Sequence, residues 1–171
     1  MLNEKAKPTV IILLGPKGSG KSYIGKLIEK HLHIHFLAVE PIFLELKGNR
    51  KPTDESYIRD GFQALEETIR DCLENKEHVI IEQTGAADYF LQFLDNLKSQ
   101  FQVKVIRIHA PEETCFRRIE QRDSKNQVPV SRELIEIINR KSVSLELDVV
   151  LRIDNSKSTD AEIIEAFKTI L

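Results

Sequence analysis

Residues Val10–Ser22 read VIILLGPKGSGKS. The five apolar residues suit a strand covered on both faces, as in a parallel sheet. Gly15 and Gly20 then flank four residues, and Lys21 and Ser22 follow. Between a buried strand and a helix, that spacing makes a phosphate-binding loop. Glycine lets the backbone curl and come close to a ligand. Successive N–H groups then form an anion nest at a helix N-terminus. Lys21 can reach the β- and γ-phosphates of a nucleotide, and Ser22 offers a hydroxyl to Mg²⁺ bridging phosphate oxygens. The expected nucleotide contacts are Gly15, Pro16, Lys17, Gly18, Ser19, Gly20, Lys21 and Ser22, with Lys17 and Ser19 at variable-type positions.

Strands and helices alternate outward from this loop. YIGKLIEKHL sets Ile24, Leu27, Ile28 and Leu32 on one helical stripe. HIHFLAVE (33–40) predicts a second strand, and residues 44–53 a loop or helix end. Thr53 or Asp54 can cap the helix that carries FQALEETIRDCL. HVIIE (78–82) predicts a third strand, QTG a turn, and residues 88–99 a helix. VKVIRIHA (103–110) predicts a fourth strand, with Pro111, Glu112 and Glu113 opening the next helix. Residues 123–130 are polar, contain Pro129 and predict a mobile connector. Ser131 caps a further helix, DVVLRID (148–154) is a fifth strand, and Thr159 with Glu162 forms a capping box. This alternation predicts an α/β fold, a parallel sheet with helices on both faces, in one domain over residues 1–171.

The totals narrow the function. The chain has 171 residues, 41% hydrophobic and 30% charged, with a net charge of −2, so a dedicated nucleic-acid or membrane-surface binder is disfavoured. Cys72 and Cys115 have no metal or disulfide spacing, and the first apolar run is too short to span a bilayer. A reduced cytoplasm is the expected location. His31, His33 and His35 lack further ligands and read as an ordinary helix end and strand start. NSKS (155–158) lacks the NKxD pattern of guanine recognition. Motor and AAA-type ATPases usually carry an Asp-Glu pair on the third strand and a longer chain; here only Glu82 stands there.

The glycine loop, the short sheet and the arginine-bearing FRRIEQRD after the fourth strand resemble the small P-loop kinases, among them shikimate, gluconate and adenylate kinases. The resemblance implies a P-loop NTPase fold, a five-stranded parallel sheet ordered 2-3-1-4-5, with a lid. It also implies ATP and Mg²⁺ as cofactors and a small-molecule or nucleotide acceptor, in a monomer or homodimer.

Candidate residues follow from both arguments. Shikimate kinase-like enzymes carry FxDxD where this chain has FLAVE, so Ala38 replaces the first acid and Glu40 takes the second position. Glu40 is a candidate acceptor-site or base residue, or else a solvated strand-end carboxylate. Glu82, emerging from an apolar strand beside the loop, is a candidate magnesium-side acid. Which of the two is the catalytic carboxylate stays open. Thr84 and Gly85 could line the acceptor pocket. In the resembling kinases arginines near Arg118 and Arg122 stack on adenine or reach the phosphates: Arg118 is assigned to the nucleotide, Arg122 to the lid. Lys125, within a lid at about 123–130, is a weaker phosphate contact. Arg140 matches an acceptor-binding arginine by position, and Arg59 could do similar work. The expected activity is transfer of the γ-phosphate of Mg·ATP to a hydroxyl or phosphate of a small molecule. The alternatives are an ATP-binding regulatory module with little turnover and a polynucleotide 5′-hydroxyl kinase.

Overall fold

The computed structural model describes residues 7–122, 125 and 127–171. The element order is β1 (Thr9–Leu14), α1 (Lys21–Leu32), β2 (His35–Leu37), α2 (Glu40–Lys47), α3 (Glu55–Glu74), β3 (His78–Gln83), α4 (Phe90–Gln100), β4 (Gln102–His109), α5 (Glu112–Glu120), α6 (Arg132–Ser144), β5 (Leu151–Asp154) and α7 (Asp160–Lys168). The five strands form one sheet in the order β2-β3-β1-β4-β5. All its pairings are parallel, as expected.

β1 is central and buried along its whole length, which is why it reads as an unbroken apolar run. Its alternate residues serve two cores. Val10, Ile12 and Leu14 pack with Phe62, Leu65 and Ile69 of α3 and Phe93 of α4. Ile11 and Leu13 pack with Ile24 and Ile28 of α1 and with Phe167 of α7. Each such side chain removed from water contributes about 1.5–3 kcal/mol, so this central layer outweighs any surface contact in holding the loop's root still.

Two elements differ from expectation. The second strand covers only His35–Leu37, and Glu40 opens helix α2 instead of ending a strand. Pro41 at the start of α2, with Glu40 against the positive end of the helix, turns the chain out of the sheet early. Residues 44–53, expected as a loop or helix end, are the second half of α2 followed by a loop. Ser131 and the Thr159–Glu162 capping box do cap α6 and α7. Asp54 stands at the N-cap of α3 without a side-chain cap bond; its carboxylate accepts from the Lys51 N–H instead.

Candidate active site

The loop leaves the C-terminal end of β1, where ligands gather in open parallel sheets. Gly18 (φ 84°) and Gly20 (φ 91°) adopt left-handed backbone, which reverses the chain within a few residues. A Cβ on Gly18 would lie 2.3 Å from the Cys115 carbonyl oxygen, so α5 seals the loop from behind. Gly20 is the N-cap of α1, whose first-turn N–H groups have no helical partner and can take an anion.

Lys21 is 7% exposed. Its Nζ donates to the carbonyl oxygens of Gly15 and Pro16, each at 2.8 Å. Burial, the largest influence, lowers its pKa from 10.5 to about 8; Glu82 opposes the fall, Lys17 and Arg122 add to it, and Cys115 opposes it weakly. One side chain thus sits close to its charge transition, inside the loop that would hold phosphate.

Ser22 Oγ donates to Glu82 Oε2 at 2.6 Å. Register explains the meeting: Glu82 pairs with Leu13 on β1, one residue from the end of that strand. The two oxygen ligands expected on the metal side are therefore adjacent. Among the described residues no cluster of three or more His, Cys, Asp or Glu could hold a metal. A hydroxyl and a carboxylate are hard oxygen donors of the kind a Mg²⁺ site takes from a protein, one or two at a time.

Glu40 lines the cleft from the first turn of α2. Oε1 pairs with Lys17 Nζ at 3.1 Å, and Oε2 accepts the Val128 N–H at 3.0 Å. It ties the loop to the connector before α6. Of the lid expected at 123–130, Asp123, Ser124 and Asn126 lie outside the described residues, while Gln127, Val128 and Val130 line the cleft.

Arg118 grips the loop itself. Its guanidinium donates to the carbonyls of Gly18 (3.4 Å), Ser19 (3.3 Å) and Asn155 (3.1 Å). Arg122 lies just beyond α5, lines the cleft and is near enough to Lys21 to lower its pKa. Thr84 also lines the cleft, and its Oγ1 accepts the Ala86 N–H at 3.3 Å. Gly85 (φ 74°) is a turn residue outside the lining; a Cβ there would meet Leu145 at 2.6 Å. Arg59 is exposed and 3.8 Å from Asp60, and Arg140 is exposed on α6; neither lines the cleft. His33 is the C-cap residue of α1, and His35 Nδ1 lies 2.9 Å from Glu29 Oε1.

Two asparagines escaped the sequence reading. Asn139, 6% exposed, accepts the Lys17 N–H at 2.8 Å and donates to the Lys17 carbonyl at 3.1 Å. Asn155 donates to the Ser19 carbonyl at 2.9 Å. Asn139 left a trace: it sits four residues after Ile135 on the buried stripe of α6, where a polar side chain needs a partner. Asn155 left none beyond its place after β5.

The cleft has a volume of about 700 Å³. It runs from Lys17, Lys21 and Ser22 past Glu40 and Glu82 to a wall made by α2, α3 and α6. It offers an anion nest, a buried lysine, paired hydroxyl and carboxylate ligands, and room for a second molecule.

A family model described as an AAA domain matches residues 10–141. Over 76 residues the chain is 33% identical to a shikimate kinase of Xylella fastidiosa, which covers 44% of this chain and 42% of that protein. The chain thus spans less than half the length of the curated relatives it matches first. A sugar kinase from Janibacter sp. HTCC2649 superposes with a TM-score of 0.68 at 16% identity, covering 95% of this chain and 93% of that one. An APS kinase from Mycobacterium tuberculosis, in complex with AMPPNP and APS, gives 0.64 at 13% identity, covering 97% and 99%. At such identities these two show the fold alone. The AAA description stands beside a third strand that carries Glu82 without the Asp-Glu pair of motor ATPases.

Proposed function

This chain belongs to the AAA-domain family, and from that premise we propose that it is a P-loop phosphotransferase moving the γ-phosphate of Mg·ATP to a hydroxyl of a small molecule. The observation that carries the proposal is the cluster at the end of β1: Lys21 buried in the loop, with Ser22 and Glu82 in contact beside it. The nucleotide's β- and γ-phosphates would displace Lys21 Nζ from the Gly15 and Pro16 carbonyls and lie against the first turn of α1. Ser22 and Glu82 would hold Mg²⁺, which supplies charge neutralisation at the phosphates.

The chain's own groups do the rest. The acceptor oxygen bonds to the γ-phosphorus, the bond from phosphorus to the bridging oxygen breaks, and ADP leaves with that electron pair. In a loose transition state the charge lies on the peripheral phosphoryl oxygens, which Lys21 and Arg122 would face. The acceptor's proton leaves late, after most of the phosphoryl transfer, and passes to a phosphoryl oxygen or water, while Glu82 would act through the Mg²⁺ it holds. Glu40 has both oxygens engaged, so it serves to position Lys17 and the 127–130 segment. Arg118 and Asn139 act through the loop backbone.

The same reading takes the chain as one domain, a monomer or homodimer, located in the cytoplasm. Among the described residues no helix is long and apolar enough to cross a membrane. The regulatory alternative draws on Ala38, which lines the cleft where the resembling kinases carry an acid. ADP release measured across hydroxylated metabolites, nucleosides and 5′-hydroxyl oligonucleotides separates the readings. Release that depends on a small acceptor and is lost in Glu82→Gln supports the phosphotransferase. Tight ATP binding with no acceptor dependence supports the regulatory module, and stimulation by oligonucleotides alone supports a polynucleotide kinase.

A further inference from the structure

The walls of the cleft change character along its length. At the loop end stand Lys17, Lys21, Ser22, Glu82 and Arg122. Beyond Glu40 apolar side chains predominate: Phe43 from α2, Ile58 and Phe62 from α3, Val130 from the connector, and Ile137 and Ile138 from α6. Thr53, Tyr57, Gln83, Thr84 and Gln127 add uncharged polar side chains to the lining. Ile137 is 49% exposed, a large apolar side chain left uncovered on a cleft wall.

The cations that an anionic acceptor would need are elsewhere or engaged. Arg59 and Arg140 do not line the cleft. The Lys17 ammonium is held by Glu40, and Lys141 pairs with Asp88 at 3.4 Å at the rim. Lys26 stands on the exposed side of α1, one turn from Ser22 and so at the loop end. Ala38 lines the cleft with a methyl group, which offers a polyol no hydrogen bond. A carboxylate set against the apolar side chains of the far wall would lose hydration without gaining an unpaired cation there. An aromatic or branched aliphatic body would bury apolar area there at no such cost.

We infer that the acceptor is an uncharged molecule with an aromatic or branched aliphatic body and one hydroxyl, its body against the α2–α3–α6 wall and its hydroxyl toward Glu82. The inference rests on the phosphotransferase reading for the role of that hydroxyl, and on the wall alone for the body.

Binding and turnover are therefore read separately, on the full chain. Calorimetry with a non-hydrolysable ATP analogue and Mg²⁺ present measures 3-phenyl-1-propanol and cyclohexylmethanol against shikimate and gluconate. ADP release is then followed with ATP and the same four compounds. The uncharged probes should bind at least tenfold more tightly than the carboxylates, the discrimination expected when a polar group meets an apolar wall. Ile137→Lys, on a half-exposed site that tolerates a charge, should weaken the uncharged probes about tenfold and strengthen shikimate. Ile138→Glu should weaken the uncharged probes without helping shikimate. Equal or tighter binding of shikimate or gluconate to the unmodified chain overturns the inference. So does a preference that neither variant moves, or no saturable binding of either alcohol at millimolar concentration. Binding of the alcohols without ADP release counts against phosphotransfer and leaves the acceptor class standing.

Discussion

Raising the pH from 7.5 to 9.5 should weaken nucleotide binding through a single residue. Lys21 is buried in the loop and holds its proton only to about pH 8, chiefly because burial disfavours the charge. A phosphate tail restores the charged form, so nucleotide binds the protonated loop. With a pKa of about 8, about three-quarters of the molecules carry the proton at pH 7.5 and about 3% at pH 9.5, a fall of about 25-fold or about 2 kcal/mol in apparent affinity. Over the same range, proton uptake on binding should rise from about a quarter of a proton to close to one, measurable by calorimetry in buffers of different ionisation enthalpy. Stability in the absence of nucleotide should move the other way. The unfolded chain keeps the Lys21 proton to about 10.5 while the folded chain releases it near 8, so the unfolded state binds more protons between those values and stability rises with pH there. The full gain is about 3 kcal/mol. Lys21→Met removes both effects, so the wild-type-minus-variant difference isolates them from the other lysines and tyrosines. Equal Mg·ATP affinity at pH 7.5 and 9.5, or the same slope in Lys21→Met, would refute the reasoning.

Three further outcomes are expected. Gly18→Ala places a methyl 2.3 Å from the Cys115 carbonyl oxygen at a φ of 84°; it should cost more than the about 1–2 kcal/mol of a left-handed residue and weaken ATP at least tenfold, as titration would read. Asn139→Ala leaves the Lys17 N–H and carbonyl without their partner; the loss is about 2 kcal/mol, seen as a melting temperature lower by about 4–8 °C and a weaker nucleotide Kd. Glu82→Gln should lower kcat by about 10²-fold or more with little change in melting temperature. Ser22→Ala should not add to it, because the two side chains act as one pair, and additive losses in the double variant would argue against that pairing.

The fold was legible because its signals are local. Val10–Leu14 names a central strand, GxxxxGKS names the turn after it, and Thr159 with Glu162 fixes the start of α7. The loop residues and Glu82 were legible for the same reason, since the motif and the strand end sit together in the sequence. The place of Glu40 at the start of α2 was less legible, because it depends on a three-residue strand ending early and on Pro41 starting a helix. The apolar stripe of α6 hints that Asn139 needs a partner, but neither it nor Asn155 names the loop as that partner: they reach it across 122 and 136 residues. Arg59 and Arg140 were chosen by charge and position, and the helix face they occupy is what turns them away from the cleft.

Calorimetric titration of the folded chain with Mg·ATP at pH 7.5, against adenosine under the same conditions, bears most directly on the phosphate loop. One saturable site for Mg·ATP, no heat from adenosine, and loss of the signal in Lys21→Ala are predicted. Well-folded protein that gives no heat with Mg·ATP, or binds adenosine equally well, would contradict the account.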